Sequence, residues 1–126
     1  MSSEISINFK GEYIHITHQP DFRLTLENLK KFWTELSQAC KKHKCLKAFH
    51  EGPAPKREMT LTDAFQSGQK VATLIPGLKM AVCLYGFITD ETTTLFINAA
   101  YNRGVQVEFF QDKREALEWL GIKDTD

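Results

Sequence analysis

The chain opens on a strict alternation. Ile5, Ile7 and Phe9 fall on one side of an extended backbone and Ser6 and Asn8 on the other, which is the period of a half-buried strand. After Lys10-Gly11, the stretch Tyr13-Ile14-His15-Ile16-Thr17 again concentrates β-formers, so two strands joined by a tight turn are predicted. Beyond the break at Gln19-Pro20-Asp21 the period lengthens. Leu26, Leu29, Phe32, Trp33, Leu36, Cys40 and His43 recur every three or four residues, the stripe of an amphipathic helix, with Thr25 placed to cap its start. Lys41, Lys42 and Lys44 lie at its carboxyl end, where cations meet the negative end of the helix dipole. That role comes first for them, and a binding patch second.

Cys45 to His50 reads as a short strand ended by Glu51-Gly52-Pro53-Ala54-Pro55, because two prolines exclude a helix interior or a central strand there. A surface loop follows. Thr60-Leu61-Thr62-Asp63 resembles a capping box, and Leu61, Ala64, Phe65, Gly68, Ala72 and Ile75 mark one face of a second helix ending near Pro76-Gly77. Leu78 to Tyr85 carries the unbroken run Met80-Ala81-Val82-Cys83-Leu84, as expected of a strand covered on both faces in the middle of a sheet. Gly86 to Asp90 is a connection. Asp90 to Arg103 reads as a third helix with Leu95, Asn98, Ala99 and Asn102 on a common face and Gly104 at its end; Val105 to Phe110 is the last strand. Asp112 caps a final helix, Lys113 to Leu120, closed by Gly121, and the tail beyond Ile122 is expected to fray.

Strands alternating with helices of these lengths imply right-handed crossovers and a mainly parallel sheet. The expected fold is therefore α/β, one domain over residues 1–126, with an N-terminal antiparallel hairpin and the order β-β-α-β-α-β-α-β-α.

Composition narrows the function classes. Leu, Ile, Val and Phe make up 33 of 126 residues and the formal net charge is zero, which argues against disorder and against a nucleic-acid binder that works by charge alone. Residues 1–63 carry ten Lys/Arg against eight Asp/Glu, and residues 64–126 carry six against eight, so there is no basic arm. The three cysteines, Cys40, Cys45 and Cys83, have no Cys-x-x-Cys spacing and read as reduced thiols. The start, Met1-Ser2-Ser3-Glu4-Ile5-Ser6, shows no leader pattern, and no apolar run is long enough to span a bilayer. A cytoplasmic protein without stable membrane insertion is expected.

Little catalytic chemistry is visible. The seven glycines form neither of the phosphate-loop patterns, and no nucleophile elbow occurs. His15-x-x-His18 lies on a predicted strand, where residues three apart face opposite ways, so the imidazoles diverge and a metal site is not expected. Cys83, within a buried run, is expected to be an inert apolar thiol. His50 and Glu51 at the end of a parallel strand provide the one acid-base pair worth naming, set against a structural role for His50. No cofactor is implied. Two features remain. Thr60 and Thr62 open a helix with Lys56 and Arg57 nearby, a candidate anion or phosphorylation site competing with ordinary capping. Pro53, Met59, Phe87 and Ile88 follow the carboxyl ends of strands, a candidate apolar rim competing with plain core closure.

The element order, the opening Gly11-Glu12-Tyr13-Ile14-His15-Ile16, the segment Asn102-Arg103-Gly104-Val105-Gln106-Val107 and the closing Arg114-Glu115-Ala116-Leu117-Glu118-Trp119-Leu120 resemble the SpoIIAA-like, or STAS-like, family of small bacterial proteins. The resemblance implies a curled sheet shared by anti-sigma-factor antagonists and lipid-carrying CRAL-TRIO (SEC14-like) domains, neither of them enzymes. In the antagonists a serine at the start of the helix after the third strand is phosphorylated. Thr60-Leu61-Thr62-Asp63 occupies the matching place, without the family's motif. The resulting expectation is a non-enzymatic binding or regulatory module. It would recognise a protein partner or a small apolar or anionic ligand through Thr60, Thr62, Lys56, Arg57, Phe87 and Ile88, with phosphorylation of Thr60 or Thr62 as a switch. The alternative is a carrier enclosing a lipid-like molecule between the second and third helices and the sheet. A free edge strand near the amino terminus is compatible with a homodimer.

Overall fold

A computed structural model describes residues 5–123; residues 1–4 and 124–126, and with them most of the tail expected to fray, lie outside the described residues. The hairpin strands are β1 (Ile5–Phe9) and β2 (Ile14–His18), followed by α1 (Leu26–His43), β4 (Lys47–Pro53), α2 (Leu61–Leu74), β6 (Lys79–Tyr85), α3 (Glu91–Tyr101), β7 (Gln106–Phe109) and α4 (Lys113–Leu120). Two additional two-residue strands, β3 (Arg23–Leu24) and β5 (Lys56–Arg57), pair with each other in parallel as a separate strip.

The main sheet has the order β1-β2-β4-β6-β7. β1 is antiparallel to β2 and every other pair is parallel, as the sequence predicts. β6 is interior, with β4 and β7 on its two edges, while β1 is an edge strand. Strand parity then sorts side chains into two cores. Ile14, Ile16, Ala48, Met80, Val82, Leu84 and Val107 face the layer formed by α1, α2 and α3. Phe49, Ala81 and Cys83 face α4, whose Ala116, Leu117 and Leu120 cover them with Ile122.

Local signals explain the helix ends. Thr25 caps α1 through its side chain, and Lys44 ends it in the left-handed region at φ 51°. Thr60 and Asp63 form a reciprocal capping box at α2. Asp112 caps α4 and Gly121 closes it at φ 78°. Cys40, Cys45 and Cys83 are free thiols, and burial raises the pKa of Cys83.

Three details depart from the sequence reading. β4 runs on through Glu51 and Gly52 to Pro53, because the prolines stand at and beyond its end, where the missing N–H breaks no ladder bond that the strand interior needs. The loop expected from Gly52 to Met59 contains β5. The helix faces are also rotated. α2 buries Ala64, Ser67, Gly68, Val71 and Ala72 and leaves Leu61 and Phe65 exposed; α3 buries Thr93, Ala99 and Ala100 rather than Leu95, Asn98 and Asn102. The cause is the closeness of the two helices. A Cβ at Gly68 would lie 2.7 Å from Ala99 Cβ and 2.8 Å from the Phe96 carbonyl oxygen, so only small residues fit the seam and bulky ones turn outward.

The backbone of α3 cannot yield as a flexible side chain would. Gly68→Ala is therefore expected to lower stability by about 1–3 kcal/mol despite alanine's better helix propensity. Gln66→Ala on the exposed side should change it little. Thermal melting compares the two, and an unchanged midpoint for Gly68→Ala would refute the tight seam.

Candidate functional site

Between the sheet and the three-helix layer lies a partly open cavity of about 90 Å³ with an almost wholly apolar wall. Its floor is the carboxyl half of the sheet: His50 from β4, Val82 and Leu84 from β6, Phe109 from β7. Phe32 and Trp33 of α1 and Phe96 of α3 form the sides, with Trp33 stacked on Phe96 at 5.9 Å between centroids. The β3–β5 strip covers it through Leu24 and Arg57, flanked by Phe22, Pro55 and Met59. The cavity thus lies at the strand ends where open α/β sheets place ligands.

The cover is tied down by charge. Arg57 makes a bidentate pair with Asp90, the N-cap of α3, donating from Nη1 to Oδ1 at 2.9 Å and from Nη2 to Oδ2. This pair holds the Asp90 carboxyl well below the usual carboxylate range and raises the Arg57 pKa. Arg23 is paired with Glu58 across the strip. Arg57 also lies 5.9 Å from the centroid of Phe87, and Phe87 stacks on Phe109 at 5.6 Å.

His50 belongs to a short chain of imidazoles on the same face. His18 Nε2 is 2.6 Å from the Pro53 carbonyl oxygen and His18 Nδ1 is 2.9 Å from His50 Nε2. A carbonyl only accepts, so His18 Nε2 carries the proton. Burial lowers the His18 pKa, leaving Nδ1 bare as an acceptor, and His50 Nε2 must then donate to it. Burial, reinforced by His18, pushes the His50 pKa down to about 3. The pair is packed against β4, since a Cβ at Gly52 would lie 2.7 Å from His18 Cε1.

The opposite face holds different chemistry. His15 Nε2 is 2.6 Å from Glu51 Oε2, and the Tyr85 hydroxyl donates to Glu51 Oε1 at 3.0 Å. His15 and His18 diverge as predicted. The same parity separates His50 from Glu51, so they do not form an acid-base pair.

Of the residues singled out from sequence, Arg57 and Phe87 meet in the cavity wall. Thr60, Thr62, Lys56 and Ile88 are exposed and outside that wall, with the Thr60 hydroxyl accepting the Asp63 N–H. Met59 also joins the wall. Sequence reading placed His50 at the ligand end of its strand but missed Trp33, Phe96 and Phe22 as cavity residues; for Trp33 and Phe96 the reason is that an aromatic on a helix is indistinguishable from ordinary core until the helices are placed, and Phe22 stands in a connection with no periodicity to read.

The fold has a solved counterpart. An uncharacterised protein of the DUF3478 family from Shewanella loihica PV-4, with a SpoIIAA-like fold, aligns over 95% of this chain and 98% of its own with a TM-score of 0.56 and 22% identity. This chain has the SpoIIAA-like fold. No protein-family model and no curated protein matches it.

The imidazole pair sets a pH dependence. Above pH of about 6.5 both folded and unfolded states hold neutral histidine; below it the unfolded chain binds protons that the folded one refuses, so stability falls as pH falls. The loss for His50 accrues between about 6.5 and about 3, at up to about 1.4 kcal/mol per pH unit. Melting temperature should drop from pH 7.5 to 5, and His50→Gln should flatten that drop. An unaltered slope would assign the dependence to other groups.

Proposed function

We propose that the domain is a non-enzymatic binding module that encloses a small apolar molecule, or the apolar end of a larger one, in the cavity under the β3–β5 strip. The observation that carries this reading is the cavity itself: a partly open space with an apolar wall and only a few polar side chains, at the strand ends of an α/β sheet. The carrier expectation, a ligand between the second and third helices and the sheet, matches this space, with α1 added as a third wall. Its volume of about 90 Å³ is below the roughly 150 Å³ of an engineered apolar cavity that takes up benzene. A ligand of more than a few carbons therefore extends past the mouth or moves the wall.

Anion recognition has weaker support, because the guanidinium of Arg57 is already neutralised by Asp90. A protein partner is the second reading, carried by Ile88, which is 84% exposed beside the mouth residue Phe87.

Hexane titrated into the full chain and followed by NMR tests the carrier reading. Saturable binding is expected. Ala64→Phe, which fills the cavity from α2, should abolish it; Phe87→Ser should weaken it on the order of tenfold, and Ile88→Ser should leave it unchanged. Binding that survives Ala64→Phe would place the ligand elsewhere, and no binding to the unmodified chain would overturn the reading.

A further inference from the structure

The segment from Ala54 to Met59 is built as a cover. Pro55, Arg57 and Met59 alternate into the cavity wall, while Lys56 and Glu58 between them are exposed, the parity of an extended chain with one face on a core. Its two ends are anchored: the Ala54 N–H donates to the Tyr85 carbonyl at 3.0 Å, and Thr60 is locked into the capping box of α2. Between those anchors, no ladder bond among the described residues joins it to the main sheet. It is held from its sides instead. Toward β3, the Glu58 N–H donates to the Leu24 carbonyl at 2.9 Å, the Lys56 N–H donates to the Phe22 carbonyl at 3.3 Å, and Arg23 pairs with Glu58. Toward α3, Arg57 donates to both carboxylate oxygens of Asp90 and to the Thr93 hydroxyl at 3.3 Å. The other walls have less freedom. α2 and α3 meet at Gly68 with no room for a Cβ, Trp33 is buried in its stack on Phe96, and the floor strands are paired within the main sheet.

Resting on the carrier reading, we infer that residues 54–59 are a gate, hinged at Ala54 and Thr60, that opens to admit the apolar ligand, with the Arg57–Asp90 pair as its latch. Opening breaks two backbone hydrogen bonds and the side-chain ties at the protein surface, where water replaces each lost partner and the net cost is small. Asp90 stands outside the cavity wall, so it acts on the ligand only through the gate. Asp90→Asn separates its two roles. The amide keeps an oxygen for the Thr93 N–H that the carboxylate caps at 3.0 Å, and asparagine is as good an N-cap as aspartate. The charge that holds Arg57 is lost.

Amide hydrogen exchange on the ligand-free full chain, compared with Asp90→Asn, reads the gate without reference to any ligand. The Lys56 and Glu58 N–H groups are expected to be less protected than the Gln106 N–H, which donates to the Leu78 carbonyl at the other end of the sheet. Asp90→Asn should speed exchange at both gate amides by about threefold. It should leave Gln106 unchanged, and likewise the Thr94 N–H in the first turn of α3, which donates to the Asp90 carbonyl. Hexane exchange followed by NMR then ties the motion to entry: association and dissociation should both accelerate in Asp90→Asn, by about threefold each, whereas a lost ligand contact accelerates dissociation alone. Gate amides as protected as Gln106, gate amides indifferent to Asp90→Asn, equal acceleration at Thr94 and Gln106, or faster dissociation alone would each overturn the gate and leave the carrier reading standing. Gate amides that respond as expected in a chain that binds no hexane would overturn the carrier reading, and the gate's part in entry with it.

Discussion

Everything in this domain follows from a sheet whose interior strands are covered on both faces. Side-chain parity along β2, β4 and β6 assigns each residue to one of two cores that do not communicate through the sheet. Neighbours in sequence are therefore strangers in chemistry. His50 lines an apolar cavity and is driven neutral, while Glu51 joins His15 and Tyr85 on the α4 face. The two faces also differ in depth. α4 is short and covers a compact patch around Phe49 and Cys83, whereas α1, α2 and α3 enclose a larger volume that their side chains do not fill at the strand ends.

The space persists because the surrounding helices cannot close over it. α2 and α3 are already in backbone contact at Gly68, where Ala99 and the Phe96 carbonyl leave no room for a Cβ, so neither can move toward the other. Trp33 and Phe96 brace the opposite side as a stacked pair. The roof comes from two segments distant in sequence, Arg23–Leu24 and Lys56–Arg57, joined by a two-residue ladder and the Arg23–Glu58 pair, with Arg57 tied to Asp90 at the start of α3. Exposed ion pairs contribute modestly, and a short ladder with few buried contacts belongs to the low-stability end of a structure.

The architecture was legible because its signals are local and repeated: the alternation of Ile5 to Phe9, the stripe from Leu26 to His43, the apolar run Met80 to Leu84, the caps at Thr25, Thr60 and Asp112. The SpoIIAA-like resemblance rested on the order of these elements and on the segments beginning at Gly11, Asn102 and Arg114, and the solved fold agrees with it. The rotation of α2 and α3 was not legible. Leu61 and Phe65 have the right spacing for a buried face, and only the approach of α3 at Gly68 reverses the choice. The β3–β5 strip has no periodicity to read at two residues per strand. Of the candidate site, Arg57 and Phe87 could be named because they stand in connections at the carboxyl ends of strands. His50 and Trp33 could not be assigned to a cavity, since a strand-end histidine and a helix-face tryptophan are normally core, and what sets them apart is an unfilled space that only the assembled layers create.

That space has an energetic meaning. An apolar wall left open on one side forgoes roughly 25 cal/mol for each Å² that a covering group would remove from water, in a domain whose whole stability is on the order of 5–15 kcal/mol. The neutral imidazole chain adds to it, because His50 and His18 are desolvated bases whose fold favours the uncharged form. Two separate costs, an apolar wall left partly uncovered and a desolvated imidazole pair, are concentrated at one place. A molecule that covers the wall offsets the first of these, which is the physical argument for reading the cavity as a binding site rather than a packing fault.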